Sequence, residues 1–198
     1  MKIEYVIPIV GYLLGSIPFG YLLVKTTRGT DIRKEGSGNI GATNVFRKNR
    51  WAGVLTLLLD AGKGYLAVWV AGWMGGSREW MAVAGVCAIA GHVFTCFLGF
   101  KGGKGVATGC GAYLAILPHA VGSTLLVFGL TVLLTRYISL ASVLATAAFP
   151  LLAFWLGAPP RIIFWAAVGS LLIIVKHHQN LRRLLNGTEQ KFVFGSRS

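Results

Sequence analysis

From Gly105 to Thr135 the chain runs thirty-one residues without an Asp, Glu, Lys or Arg. A stretch of that length has no place on a water-exposed surface and reads as membrane-embedded. As one α-helix it would measure roughly 46 Å at 1.5 Å per residue, too long for a hydrocarbon core of about 30 Å. Pro118-His119 sits near its middle, and proline breaks or kinks a helix. The tract is therefore one tilted, kinked span or two short ones. Other apolar stretches recur along the chain, giving expected spans at 3–24, 52–74, 80–98, 138–157 and 161–176. Only 13% of the 198 residues are charged, against about 25% in an ordinary soluble domain. That deficit excludes a disordered chain, a coiled coil and a charged-surface globule.

The charges that remain decide the number of spans. Nineteen Lys and Arg face six Asp and Glu, a net charge of +13. Lys- and Arg-rich loops stay in the cytoplasm. Residues 25–50 hold Lys25, Arg28, Arg33, Lys34, Arg47, Lys48 and Arg50, which puts that segment inside and the N-terminus outside. Lys101 and Lys104 mark a second inside loop, and Lys176, Arg182, Arg183, Lys191 and Arg197 an inside tail. If the uncharged tract were one span, that tail would fall outside. Divided into 105–117 and 118–135, it brings Arg136 and the tail inside together. Fifteen of the nineteen basic residues then lie on one side, with Lys2, Arg78 and Arg161 outside and Lys63 within a span. The expected fold is thus all-α: a single polytopic membrane domain of about seven transmembrane helices, N-terminus outside and C-terminus cytoplasmic. The apolar N-terminal stretch is long enough to span and is expected to stay on the protein.

With that topology the unusual polar residues gather on the cytoplasmic side. The first group is Ser37, Gly38, Asn39, Gly41, Thr43, Asn44 and Arg47. Glycine lets backbone N–H groups converge on an anion. Ser, Thr and Asn add neutral donors, and Arg adds a fork suited to phosphate. The second is Lys101-Gly102-Gly103-Lys104-Gly105-Val106-Ala107-Thr108. It is not a Walker A loop, because Gly105 stands where Ser or Thr should be and no strand precedes it. Free amides and lysine at a helix start bind phosphate all the same. A flexible, positively charged Gly-rich loop is the plain alternative for both.

The third group, His177 to Glu189, follows the last span. His177 and Asn180 share a helix face at i,i+3 spacing, and histidine works as an acid or base near neutral pH. Arg182 and Arg183 also suit anchoring at the membrane interface. Asp60 and Lys63 lie inside a span, where charges are costly and are paired or functional. An architectural ion pair and a direct role in substrate binding are both open to them. Ser139 or Ser142, beyond the Arg136 turn, could face the site, while His92 suits helix packing as well as function.

Three unpaired cysteines, Cys87, Cys96 and Cys110, read as apolar filler. No metal cage is spaced along the chain, and no Ser-His-Asp triad is legible. No histidine is followed five residues later by Asp, so the common acyltransferase signature is missing. Catalysis must lean on positioning and charge stabilisation.

Taken together, the motifs resemble those of the bacterial membrane acyl-phosphate:glycerol-3-phosphate acyltransferases. The family pattern SGNxGxTNxxR is similar to Ser37, Gly38, Asn39, Gly41, Thr43, Asn44 and Arg47 at every position. The Gly/Lys-rich pattern matches residues 101–108, and HxxNxxRLxxGxE matches His177, Asn180, Arg183, Leu184, Gly187 and Glu189. The resemblance implies acyl transfer from a fatty acyl-phosphate to the sn-1 hydroxyl of glycerol 3-phosphate. The products would be lysophosphatidic acid and inorganic phosphate, with no cofactor, in phospholipid biosynthesis at the bacterial inner membrane. On that expectation Ser37, Gly38, Asn39, Thr43, Asn44, Arg47, Lys101, Gly102, Gly103 and Lys104 bind the substrates. His177, Asn180, Lys104 and Ser142 are catalytic, and Asp60, Lys63, Arg183 and Glu189 are structural. The expected partners are the two substrates and membrane lipid, with no nucleic acid, and the expected state is a monomer. The rival class is a transporter of phosphate-bearing metabolites, which predicts motifs near the midplane and on both sides; clustering on one side favours the enzyme.

Overall fold

A computed structural model describes residues 3–193; Lys2 and Arg197, used above in the charge count, lie outside that range. The described residues form ten α-helices and two one-turn 3-10 segments, and no strand occurs among them. The helices are α1 (Ile3–Ser16), α2 (Phe19–Arg28), α3 (Ala42–Lys48), α4 (Arg50–Trp73), α5 (Arg78–Val93), α6 (Val106–Leu114), α7 (Pro118–Thr135), α8 (Ile138–Trp155), α9 (Pro160–Lys176) and α10 (His178–Leu185).

Five elements are long and apolar enough to cross a membrane: Ile3–Arg28 (α1 with α2), α4, α5, α7 and α8. A sixth is added if α9 and α10, bent by 54° at their junction, count as one. The fold is therefore an all-helical, multi-pass membrane architecture. Helix α4 displays the bilayer's dimensions. Trp51 and Trp73 stand exposed at its two ends, about 33 Å apart at helical rise, where interfacial tryptophans belong. The exposed leucines of α7, Leu126, Leu130, Leu133 and Leu134 among them, give that helix an apolar surface suited to lipid.

The uncharged tract holds two helices rather than one. Leu117 caps α7, and Pro118 opens it at the position where its missing N–H costs nothing. Helix α6 has nine residues, about 14 Å of helix, less than half a hydrocarbon core.

The chain divides into two compact units at Ile116/Leu117. In the first, α1 packs on α5, and α4 packs on α3, α5 and α6. Without a hydrophobic drive between helices in lipid, close backbone approach is what holds them. At Gly15 an added Cβ would land on the Ala88 carbonyl, and at Gly111 on the Ala61 carbonyl. In the second unit α8 packs on α7 and α9, and α10 lies against α8 and α9.

Proline dictates the first unit's main irregularity. Pro18 lacks an N–H, and the helix breaks between Ser16 and Phe19. The break leaves carbonyls in need of donors, and α4 and the segment just past α5 supply them. Lys63 of α4 donates its Nζ to the Ile17 carbonyl at 2.7 Å. Thr95, just past α5, donates its hydroxyl to the Ser16 carbonyl at 2.6 Å. In addition, the Tyr12 hydroxyl of α1 donates to the Phe94 carbonyl at 2.6 Å.

Lys63→Met should strip Asp60 of its cation and Ile17 of its donor. Breaking one side of a buried pair costs about 3–5 kcal/mol, so thermal unfolding in detergent should shift down by many degrees. Replacing Asp60 with Leu in the same chain should restore much of the loss. Unchanged unfolding of Lys63→Met would remove the lysine from the architecture.

Candidate active site

The first Gly-rich motif is a loop tied by one side chain. Asn44, on the first turn of α3, is buried. Its Oδ1 accepts from Ser37 N at 3.0 Å, and its Nδ2 donates to the carbonyls of Asn39 at 2.8 Å and Glu35 at 3.0 Å. Asn39 in turn accepts the Gly41 N–H through its Oδ1 at 2.7 Å. Both asparagines therefore shape the loop through their own side chains. That geometry makes Asn44 an organiser of the loop more than a ligand. Ser37 and Gly38 are left exposed at its crest, with Thr43 half-buried and Arg47 exposed on α3. Glu35 below the crest pairs with Lys48 at 3.5 Å and Arg28 at 3.9 Å. Asp31 and Arg33 form a bidentate pair beside it, and the Arg33 hydrogen bond holds the Asp31 carboxyl down at about 2.

The second motif is clamped to the end of α5. Gly102 N donates to the Val93 carbonyl at 3.1 Å and Gly103 N to the His92 carbonyl at 3.0 Å. Gly103 is buried against the His92 ring, where a Cβ would collide with Nε2. Gly105, at φ 87°, turns the chain into α6 in a conformation that glycine adopts without cost. Lys101 is exposed and Lys104 half-buried.

One apolar cluster joins the first motif to the segment that leads into the second. Ile40 and Val45 from the first motif bury with Val24, Ile32 and Ala52, and Leu98, just before the second motif, packs against them. The first unit thus holds both Gly-rich, basic loops, linked through that cluster and Leu98.

Asp60 and Lys63 lie below the second loop rather than on its surface. Their ion pair measures 2.9 Å, and both side chains are almost fully buried. His92 Nδ1 lies 3.6 Å from the same Asp60 oxygen. Sequence reasoning left His92 ambiguous because a lone histidine in an apolar helix carries no local sign of its partner.

In the second unit, His177 occupies the joint between α9 and α10 and is buried. Its Nδ1 bonds the Ile173 carbonyl at 2.8 Å. A carbonyl only accepts, so Nδ1 carries the proton and Nε2 is the basic nitrogen. Asn180 donates to Glu189 Oε1 at 2.7 Å, and Arg183 donates Nε to Glu189 Oε2 at 2.6 Å. Burial pushes the Glu189 carboxyl up, but these two donors outweigh it and hold it below the usual carboxylate range. The buried Ser139 hydroxyl lies near the same carboxylate without reaching hydrogen-bond geometry. Ser142 is buried one turn on and donates back to the Ile138 carbonyl at 2.9 Å. Glu189 and Arg183 therefore brace the C-terminal segment around Asn180, whose amide they orient. Among the described residues, no group of three His, Cys, Asp or Glu side chains is placed to hold a metal.

Because the Glu189 carboxyl is lowered in the fold, its bracing is complete above the ordinary glutamate range. It is lost as pH falls through the lowered value. Proteolysis of residues 186–193 should accelerate on acidification, and Glu189→Gln should flatten that dependence. Equal acid sensitivity in the variant would reassign it to another group.

The family described as glycerol-3-phosphate acyltransferase matches residues 5–187. A glycerol-3-phosphate acyltransferase of Geobacter sulfurreducens is 47% identical over 96% of this chain and 97% of its own length. Its counterpart from Trichlorobacter lovleyi is 50% identical over 91% of this chain and 93% of its own. Among solved structures, the crystal structure of PlsY, an integral membrane glycerol 3-phosphate acyltransferase, in its glycerol 3-phosphate form superposes with a TM-score of 0.91. It is 41% identical and covers 96% of both chains. The lysophosphatidic acid form of that enzyme superposes at 0.88 with 39% identity, covering 96% of this chain and 95% of its own.

Proposed function

The chain belongs to the glycerol-3-phosphate acyltransferase family, and we propose that its acyl donor is a fatty acyl-phosphate. The reaction adds an acyl group to glycerol 3-phosphate and yields lysophosphatidic acid. The observation that carries the donor assignment is the presence in one unit of two Gly-rich, basic loops, linked through one apolar cluster and Leu98, as two phosphate-bearing substrates call for. In the reaction the glycerol hydroxyl oxygen bonds to the acyl carbon, the acyl–phosphate C–O bond breaks, and inorganic phosphate departs. An acyl-phosphate is already activated, so the protein need not supply a strong base.

Ser37, Asn39, Thr43 and Arg47 serve one phosphate or the other, as do Lys101 and Lys104, while Gly38, Gly102 and Gly103, whose N–H groups donate to the Glu35, Val93 and His92 carbonyls, shape the loops together with Asn44. Lys104 also neutralises charge that builds on the leaving phosphate. His177, through Nε2, and Asn180, Ser142 beside them in sequence role, serve the same reaction by taking or relaying the hydroxyl proton and fixing an oxygen. The protein acts as a monomer in the bacterial inner membrane, its lipid-facing helices giving the acyl chain access.

Seven crossings, N-terminus outside and C-terminus cytoplasmic, fit the helices best. Residues 102–116 run the full length of α5 in the opposite direction. Gly102 and Gly103 bond its C-terminal end, and Arg78 Nη2 at its N-terminal end donates to the Ile116 carbonyl at 3.2 Å. Helix α5 has sixteen residues, about 24 Å, so the short α6 with its extended lead-in covers the same depth. Cysteine placed at 191 should then label only from the cytoplasmic side and at 76 only from the outside. The reverse pattern would invert the topology.

Purified protein given palmitoyl phosphate and glycerol 3-phosphate should release phosphate in step with lysophosphatidic acid. Product from acyl-coenzyme A alone would overturn the donor assignment. Arg47→Ala and Lys104→Ala each remove a charged hydrogen bond, which should lower kcat/KM by about tenfold to a hundredfold. His177→Ala in a folded protein should abolish turnover if Nε2 is the base. Partial activity would make the donor phosphate the proton acceptor.

A further inference from the structure

The strongest unassigned group in the first unit is the chain of buried contacts that runs from the break in α1 to the second Gly-rich loop. It begins at the Ile17 carbonyl, held by Lys63 Nζ at 2.7 Å. It passes through the 2.9 Å ion pair to Asp60 and on to His92 Nδ1, 3.6 Å from the same oxygen. It ends where His92 meets the loop twice, its carbonyl accepting from Gly103 N at 3.0 Å and its ring lying under the Gly103 Cα. All three side chains are buried, so none of them reaches a substrate in water. A buried ion pair is weak evidence for stability alone, because desolvation cancels much of its attraction. Its location beneath a loop one residue from Lys104 gives it a different use.

We propose that His92 is a positioning residue for the acyl transfer: buried beside the Asp60–Lys63 pair and under Gly103, it sets the height and direction of the 101–105 loop and thereby where Lys104 meets substrate phosphate. The ring acts as the floor of the loop. The carbonyl fixes its register, and the ring packs beside the ion pair, its Nδ1 3.6 Å from Asp60 Oδ1 without a hydrogen bond. Gly103 is required because any side chain there would lift the loop off that floor. A loop lifted by even an ångström moves the ammonium of Lys104 away from where charge develops, and such misplacement is costly far from the chemistry itself.

This rests on the reading that the loop binds phosphate through Lys104, so the experiment carries its own control. Four variants in detergent, Lys104→Ala, Gly103→Ala, His92→Ala and the Gly103→Ala/His92→Ala pair, are compared for KM of each substrate, kcat and unfolding temperature. Gly103→Ala should raise one substrate's KM about tenfold, the size expected for a displaced binding group. It should act on the same substrate as Lys104→Ala. The double variant, with room made beneath the new methyl, should bind better than Gly103→Ala alone, a non-additivity that a loss of general stability does not produce. His92→Ala alone should raise that KM while its unfolding temperature stays near that of the parent, and this arm decides if Gly103→Ala fails to fold.

If Lys104→Ala leaves both KM values unchanged, the loop is not a phosphate site and the underlying reading fails. If Lys104→Ala raises KM but His92→Ala does not, or the double variant is as impaired as the sum of its parts, His92 is not the loop's support and the proposal is overturned.

Discussion

The interaction on which the first unit depends is the donation of Lys63 Nζ to the Ile17 carbonyl. In a bilayer every backbone polar group must find its partner inside the protein. Pro18 interrupts the first helix and frees carbonyls at that depth. A charged donor is a strong partner for one of them, but an ammonium cannot be buried without an anion. Asp60, one turn earlier on α4, supplies it at 2.9 Å. The kink, the lysine and the aspartate therefore form one device. Thr95 closes the neighbouring carbonyl from the end of α5, so the break in α1 ends up binding three elements together.

The same economy governs the loops above. Each Gly-rich motif is held from below by buried polar groups that are not themselves at the crest. Asn44 ties the first loop through Ser37, Glu35 and Asn39. His92 and Val93 carbonyls tie the second through Gly103 and Gly102. Loops rich in glycine have the most conformational entropy to lose, and anchoring at two or three points removes it before substrate arrives. In the second unit Glu189 does this for Asn180, with Arg183 holding its other oxygen. On the proposed reading, in which no dedicated carboxylate base acts, each of these anchors would hold a donor toward the developing charge.

Much of this was legible from local pattern. Apolar runs reported membrane-crossing helices because their length matches the bilayer, and the Pro118 break in the uncharged tract followed from proline's missing donor. The i,i+3 spacing of His177 and Asn180 suggested a shared helix face, and the fold puts His177 at the joint that opens α10; Asp60 with Lys63 at i,i+3 suggested a pair that the fold forms. What local pattern missed was partnership over long separations. Asn44 has the composition of a phosphate ligand, yet its amide is taken up by the loop's own backbone. Ser139 and Ser142 lie one turn apart on α8, and only the fold shows that Ser139 lies near the Glu189 carboxylate. His92 gave no periodic signal, since its partner is thirty-two positions away on another helix.

By itself the sequence determined the solvent of the protein and the chemistry available to it: helices long and apolar enough for lipid, two Gly-rich basic loops, and a histidine followed by an asparagine on one face. These are consequences of composition and short-range spacing, which a helix's fixed geometry translates directly into position. Tertiary structure alone decided that Lys63 reaches back across forty-six residues to Ile17, that α6 with its extended lead-in runs the length of α5, and that His92 lies under Gly103. Those outcomes depend on which helices pack together, and packing in lipid is selected by backbone closeness and hydrogen bonding, neither of which is written in the order of residues along one segment.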